Sequence, residues 1–274
     1  MGKRSLVSSL VVSALVLVPD VSPAQIAVIS PMTEERQAEP GETYTGTVLV
    51  RNTTAEPQEA RIYQTDYAYF ADGRVEFGEP GALARSNASW VTFAPSRVAL
   101  RPGEVVEVSY SVHVPADAGG RLGGTYWSVL MVESVGPEAS GSSGTAGQER
   151  VRMGVSTKLR YAVQLVTHID GTGVRRAELE GARVVATADG GRVLEFDVVN
   201  TGDLSYRLDI SLELYDANGA AVGRYEDQRG LLYPGSSLRQ RFDLTDIPSG
   251  TYTVLVVADT GSDDVFGAQY TLKL

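Results

Sequence analysis

The sequence predicts an all-β chain, two tandem antiparallel sandwiches behind a short apolar leader. Apolar and polar residues alternate with a period of two in segment after segment, as strands with one buried face require, and no stretch carries convincing helical spacing. Turns rich in Gly, Pro and Asn punctuate those segments. One set of turn signals also occurs twice in the same order. Arg101-Pro102-Gly103, Val114-Pro115 and Gly124-Thr125-Tyr126 are echoed by Tyr233-Pro234-Gly235, Ile247-Pro248 and Gly250-Thr251-Tyr252, the mark of an internal repeat.

The chain opens with Lys3 and Arg4, an apolar run from Leu6 to Val18, and Ser22-Pro23-Ala24, small where a signal peptidase reads. This predicts a secretory signal over residues 1–24. The run is shorter than the ~20 residues that cross a bilayer, and no later stretch is apolar enough to span. The mature chain is expected to be exported, to the periplasm or beyond, with a first domain over 25–170 and a second over 174–274. Losing two cations and one carboxylate with the leader moves the formal charge from −10 to −11. An acidic exported chain argues against nucleic acid or anionic membranes as partners. The chain has no cysteine, which excludes thiol catalysis and Cys-ligated metals and leaves each core to hold itself together.

The first strand is Gln25 to Ser30, ended by Pro31. Pro40-Gly41 opens Glu42 to Asn52, with Tyr44, Val48 and Val50 on one face. Tyrosine-rich Arg61 to Phe70 closes at Ala71-Asp72-Gly73. Trp90 to Phe93 and Val98 to Leu100 are brief, and Val106 to Val114 alternates cleanly. Gly124 to Glu133 follows, then a polar Gly/Ser segment, Gly136 to Arg150, expected to be a mobile loop. In the second half, Leu194 to Val198 ends at Asn200-Thr201-Gly202 much as the earlier strand ends at Asn52-Thr53-Thr54. Leu208 to Leu214 alternates up to the hairpin signal Asn218-Gly219. The short join around Asp170-Gly171-Thr172-Gly173 implies two domains that touch across a cleft.

The organising stretch is Val151 to His168. Its odd positions Val151, Met153, Val155, Leu159, Tyr161, Val163 and Leu165 are apolar, while the even ones include Arg152, Ser156, Lys158, Arg160 and Gln164. Such length is unusual for a strand, and its place behind a polar loop marks a candidate edge strand.

Groups for catalysis are few. His113 and His168 are isolated in sequence, and the carboxylates Asp66, Asp72, Glu76 and Glu79 match no calcium loop. No nucleophile elbow, phosphate loop or zinc-protease helix is present. No cofactor is expected, and the function predicted is binding. Tyr63, Tyr67 and Tyr69 share a strand face, as a stacking platform or as core, and Trp90 and Trp127 are expected to fill a sandwich core. Asn52-Thr53-Thr54 and Asn87-Ala88-Ser89 match the glycosylation pattern, but the short signal and the absence of cysteine lead us to expect a bacterial chain, in which the match carries little meaning.

The run Thr157-Lys158-Leu159-Arg160-Tyr161, together with Trp90 to Pro115 and its Leu100-Arg101-Pro102-Gly103 turn, resembles the periplasmic pilus chaperones of the PapD type. That resemblance implies two immunoglobulin-like domains and no catalysis. It also implies a protein subunit as partner, which receives an edge strand through Met153, Val155, Leu159 and Tyr161. Lys158 matches the family's cleft lysine, which grips the partner's terminal carboxylate. The family's arginine in the first strand has no counterpart within Ile26 to Ser30; Arg36 is near in sequence, and Arg160, on the face of Lys158, is the other candidate for the second charge. A second resemblance is to bacterial surface proteins with an immunoglobulin-like domain. It rests on the Pro-Gly-Glu turn, Asp66-Tyr67 before an Asp-Gly turn, and Ser89-Trp90. On that alternative the chain is a cell-surface or extracellular binding module, and Lys158 has no special role.

Overall fold

Alternation decides the architecture, because each strand buries one face and leaves the other for a second partner. The computed structural model describes residues 25–117, 119–135, 159–261 and 264–274, and among these the only helical piece is a 3₁₀ turn at Ala88–Trp90. The predicted leader, the Gly/Ser segment and the stretch from Val151 to Lys158 lie outside the described residues.

The first sandwich uses β1 (Ile26–Val28), β2 (Thr33–Ala38), β3 (Thr43–Asn52), β4 (Gln58–Tyr69) and β5 (Val75–Gly78). It continues with β6 (Val91–Ala94), β7 (Arg97–Leu100), β8 (Val105–His113), β9 (Gly124–Val135) and β10 (Arg160–Ile169). One sheet has the order β1-β3-β8-β6, and the other β2-β10-β9-β4-β5 with β7 also on β4. Val48, Val50, Val108, Val112, Leu130, Val132, Val163 and Leu165 meet between them. Gly46 is required there, since a Cβ at that position would lie 2.2 Å from the Tyr110 hydroxyl oxygen. Trp90 joins this core, its ring 4.7 Å from that of Tyr126.

The second sandwich follows with β11 (Ala177–Ala186), β12 (Arg192–Asn200), β13 (Tyr206–Tyr215), β14 (Ala221–Leu232), β15 (Ser237–Asp243), β16 (Thr251–Asp259) and β17 (Val265–Lys273). Its sheets run β11-β12-β15 and β14-β13-β16-β17, closed over Leu194, Phe196, Leu208, Ile210, Leu212, Val254 and Val256.

The repeat read in the turns is also a repeat of bonds. Asn52, fully buried at the end of β3, donates its amide to the Glu56 and Leu100 carbonyls at 2.8 and 3.1 Å and accepts the Thr54 N–H at 2.8 Å. Asn200, fully buried at the end of β12, donates to the Leu204 and Leu232 carbonyls at 2.8 and 3.0 Å and accepts the Gly202 N–H at 2.9 Å. Each asparagine ties a strand end to the residue before a Pro-Gly turn. The glycosylation match at Asn52 is therefore a structural bolt, and Asn87 is likewise buried, donating to the Leu165 carbonyl and the Thr167 hydroxyl.

Pro31 marks where the first strand changes sheets. Ile29 still donates to the Leu49 carbonyl at 2.9 Å, whereas Met32 already accepts from Gln164 N–H at 2.9 Å. Proline has no N–H to continue the first ladder, so the chain crosses there and runs parallel to β10. This second half, Thr33–Ala38, is too polar to read as a strand from its sequence.

Replacing Asn200 by Ala removes one amide and strands its carbonyl and N–H partners in the core. A loss of about 2–4 kcal/mol in urea unfolding is expected, while a loss below about 0.5 kcal/mol would contradict the bolt.

Candidate functional site

β10 pairs with β9 along its whole length but with β2 only from Gln164 to Ile169. It is thus an interior strand at one end and an edge strand at the other, a correction to the reading of one long edge. The direction of its free groups follows from the ladder. Ser134 N–H donates to the Leu159 carbonyl at 3.1 Å, so Leu159, Tyr161 and Val163 point their backbone at β9. Arg160 and Ala162 point theirs the other way, where β2 has ended, and no described strand meets them.

Apolar side chains frame this opening. Ile29 and Met32, on either side of the crossover, are 49% and 38% exposed, and Leu159 is half-buried. Tyr161 turns inward against the first core and donates its hydroxyl to the Ile26 carbonyl at 3.0 Å. Ile29 and Met32 were missed in the sequence because they flank Pro31 and belong to no alternating run.

The even face of β10 belongs to the outer surface of the sheet. There register lines up Arg61, Glu133 and Arg160, then Tyr63, Met131 and Ala162, then Thr65, Val129 and Gln164, and beyond them Trp127 faces Val166. Glu133 accepts the Tyr63 hydroxyl at 2.9 Å and an Arg61 N–H at 3.3 Å, and the Arg61 guanidinium lies 4.5 Å over the Tyr63 ring. Arg160 is exposed beside them. Lys158, Met153 and Val155, expected at this site, lie outside the described residues. Arg36 does not come here. It pairs in register with Thr167, an inward position, seven residues from Arg160 and so roughly 20 Å along the strand.

The lower part of that surface is covered by the second sandwich. Trp127, expected inside the first core, instead stacks on Tyr233 with centroids 4.5 Å apart and planes 14° from parallel. Its odd position on β9 faces away from Leu130 and Val132, and its indole N–H donates to the Tyr67 carbonyl at 2.7 Å. Tyr233, fully buried, donates its hydroxyl to the Gln164 side chain, and burial pushes its pKa well above 10. Tyr67 and Tyr69 pack edge-on against Tyr233, and Tyr69 donates to the Leu231 carbonyl. Tyr67 and Tyr69 are therefore neither sandwich core nor open platform but part of an interdomain seam, while Tyr63 stays outside it beside Arg61 and Glu133. Arg85 pairs with Asp203 across the seam, and Arg207 with Glu35. Gly124, at φ +73°, allows the close approach, because a Cβ would sit 2.4 Å from the Asp203 carbonyl oxygen.

Next to the seam, a cavity of about 420 Å³ is lined by Glu35, His168, Arg175, Ser205, Tyr206 and Arg207 among others. His168 Nδ1 lies 2.9 Å from the Thr125 hydroxyl, which also accepts the Ser205 N–H at 2.9 Å, and Nε2 lies 3.5 Å from Glu35. A neutral ring with its proton on Nε2 accepts from Thr125 and faces the carboxylate. Burial lowers the His168 pKa below 6.5; Glu35 pulls it upward, and Arg175 and Arg207 oppose protonation further.

The acidic residues of the β4–β5 region do not converge. Asp66 is buried and accepts the Gly81 and Leu83 N–H groups at 3.1 and 2.7 Å as well as the Ser86 hydroxyl, so it fastens a loop. His113 is exposed and bonds Thr43 at 2.8 Å. Among the described residues no group of three or more His, Asp or Glu could hold a metal ion.

No protein-family model matches the chain, and no curated protein matches it in sequence. Similar solved structures include the class 5 fimbriae chaperone CfaA, at 12% identity over 90% of this chain and 98% of that one, with a TM-score of 0.44. The E. coli chaperone DraB is 15% identical over 91% and 98%, with a TM-score of 0.41. A Salmonella enterica SafA pilin complex with the SafB chaperone matches at 12% identity over 90% and 96%, with a TM-score of 0.40. These are likenesses of fold.

Two outcomes test the seam. Tyr233→Ala removes the stack and leaves Gln164 without its bond, and a loss of about 3–5 kcal/mol is expected, with the two sandwiches melting separately in calorimetry. A single unshifted transition would contradict this. Because the folded pKa of His168 is depressed, the unfolded chain binds the proton first, so its contribution is present above about pH 6.5 and is lost as pH falls below it. His168→Gln should flatten that decline in urea titrations; an unchanged decline would assign it to other groups.

Proposed function

We propose that this chain is an exported, non-enzymatic chaperone that holds secreted or pilus-type subunits by lending them the free edge of β10. The observation that carries the reading is the outward backbone of Arg160 and Ala162 beyond the end of β2, framed by exposed Ile29 and Met32. A subunit lacking a strand would pair with those groups, each hydrogen bond contributing about 0.5–1.5 kcal/mol, and would cover the apolar rim. On this reading Met153, Val155, Leu159 and Tyr161 form the strand's apolar face, and Lys158 and Arg160 receive a carboxylate of the partner beyond the seam. The contact of Tyr161 with Ile26 means that Tyr161 supports the edge from within its own sandwich.

The test uses the mature chain and an extract of exported proteins. Wild type should retain a discrete subunit in stoichiometric amount. Ala162→Pro deletes an outward N–H without touching the β9 ladder, and at about 1–3 kcal/mol it should weaken retention about tenfold to a hundredfold. Lys158→Ala and Arg160→Glu should weaken it as well. Undiminished retention by a folded Ala162→Pro chain would sink strand lending and favour a surface-binding module.

A further inference from the structure

The far side of the same sheet ends in β5, all four residues of which are exposed. Its phase is set by Phe70, whose N–H donates to the Arg74 carbonyl at 2.9 Å. Two residues on, Ala68 faces Glu76, and then Asp66 faces Gly78, so these pairs turn their backbone inward to the hairpin. Val75 and Phe77, in between, turn theirs outward, and no described strand lies beyond them. The same two residues expose their side chains, 53% and 44%, beside Tyr69 and Tyr67. Phe77 packs 5.3 Å from the Tyr67 ring.

This edge is held from both ends. At the hairpin tip, Ala71 N–H donates to Ser237 Oγ of the second sandwich at 2.9 Å, and Tyr69 is tied to Leu231. Past β5, Asp66 grips the Gly81 and Leu83 N–H groups. A strand fixed in this way loses little freedom when another pairs with it. Residues of the hairpin also set the charge, with Asp72, Glu76 and Glu79 against Arg74 alone.

We infer that β5 is a second strand-docking edge, for an extended partner segment that alternates apolar and basic residues. Apolar side chains of such a segment would lie on Val75 and Phe77, and the basic ones on the face of Glu76. A second copy of the chain fits less well. The antiparallel register that uses both Val75 and Phe77 sets Glu76 against Glu76. Shifting the register by two residues brings in Gly73, which is left-handed at φ +86°, or Glu79 ahead of Pro80. The β5 edge is separate from that of β10, with β9 and β4 between them.

The probe is a fluorescently labelled peptide of alternating valine and lysine, with the same peptide interrupted by proline as control. Binding is followed by anisotropy, and amide exchange is read at Val75 and Phe77. The alternating peptide should slow exchange at those two amides. Val75→Pro, which removes only an outward N–H at the first strand position, and Phe77→Glu should each weaken binding by about tenfold. Ala162→Pro should leave it unchanged, which separates this edge from β10. Equal binding of the interrupted peptide, equal binding by Val75→Pro, or absence of protection would overturn the inference. So would a concentration-dependent dimer abolished by Val75→Pro, since it would make the chain its own occupant.

Discussion

The stack of Tyr233 on Trp127 is the contact on which the rest of this structure depends. It lies in a turn that the repeat places opposite Arg101-Pro102-Gly103 of the first sandwich, so one repeat unit keeps an exposed arginine where the other buries a tyrosine. That exchange turns a surface loop into a wedge. The wedge covers Trp127, Val166 and Gln164 and stops there, leaving Arg160, Ala162, Tyr63 and Arg61 beyond its reach. The division of one sheet face into a sealed part and an open part is thus a consequence of where a single aromatic ring stands. The ion pairs around it, Arg85 with Asp203 and Arg207 with Glu35, are partly exposed and contribute little beyond orientation.

Much of the fold was legible because most of its strands bury one face and leave the other polar. β8 and β13 alternate in burial without exception, whereas β12 buries Leu194, Glu195 and Phe196 in a row, and the buried asparagines announce themselves as strand-ending Asn before Thr. β2 was illegible for the opposite reason. Thr33–Ala38 is polar at every position but the last: it caps β10 by backbone pairing, Glu35 turns to His168 and Arg207 at the seam, and only Ala38 reaches the first core. β14 hides in the same way behind alternating charge. Trp127 was misplaced since alternation gives two faces but does not say which one meets a core, and on β9 both faces are buried, one by the first sandwich and one by Tyr233.

Along β10 the alternation was legible in the sequence, but the second partner of the strand was not. Periodicity cannot see that a strand from elsewhere in the chain runs alongside half of β10. Hence periodicity marks a candidate edge strand without showing which part of it is covered, and the exposed pair Ile29 and Met32, flanking Pro31, belongs to no alternating run.

The crossover at Pro31 bears on the order in which the molecule can be completed. β1 and β2 lie within a dozen residues of each other yet belong to opposite sheets, and the partner of β2 is β10, some 130 residues later in the chain. Pairing of such distant segments is entropically late, whereas β3, β4 and β5 find neighbours close at hand. A chain that emerges with its N-terminus leading, as it does from the ribosome, therefore carries β2 unpaired until β10 has emerged. The first sandwich is the earlier half to emerge, but it is closed only by β10, the last of its described strands.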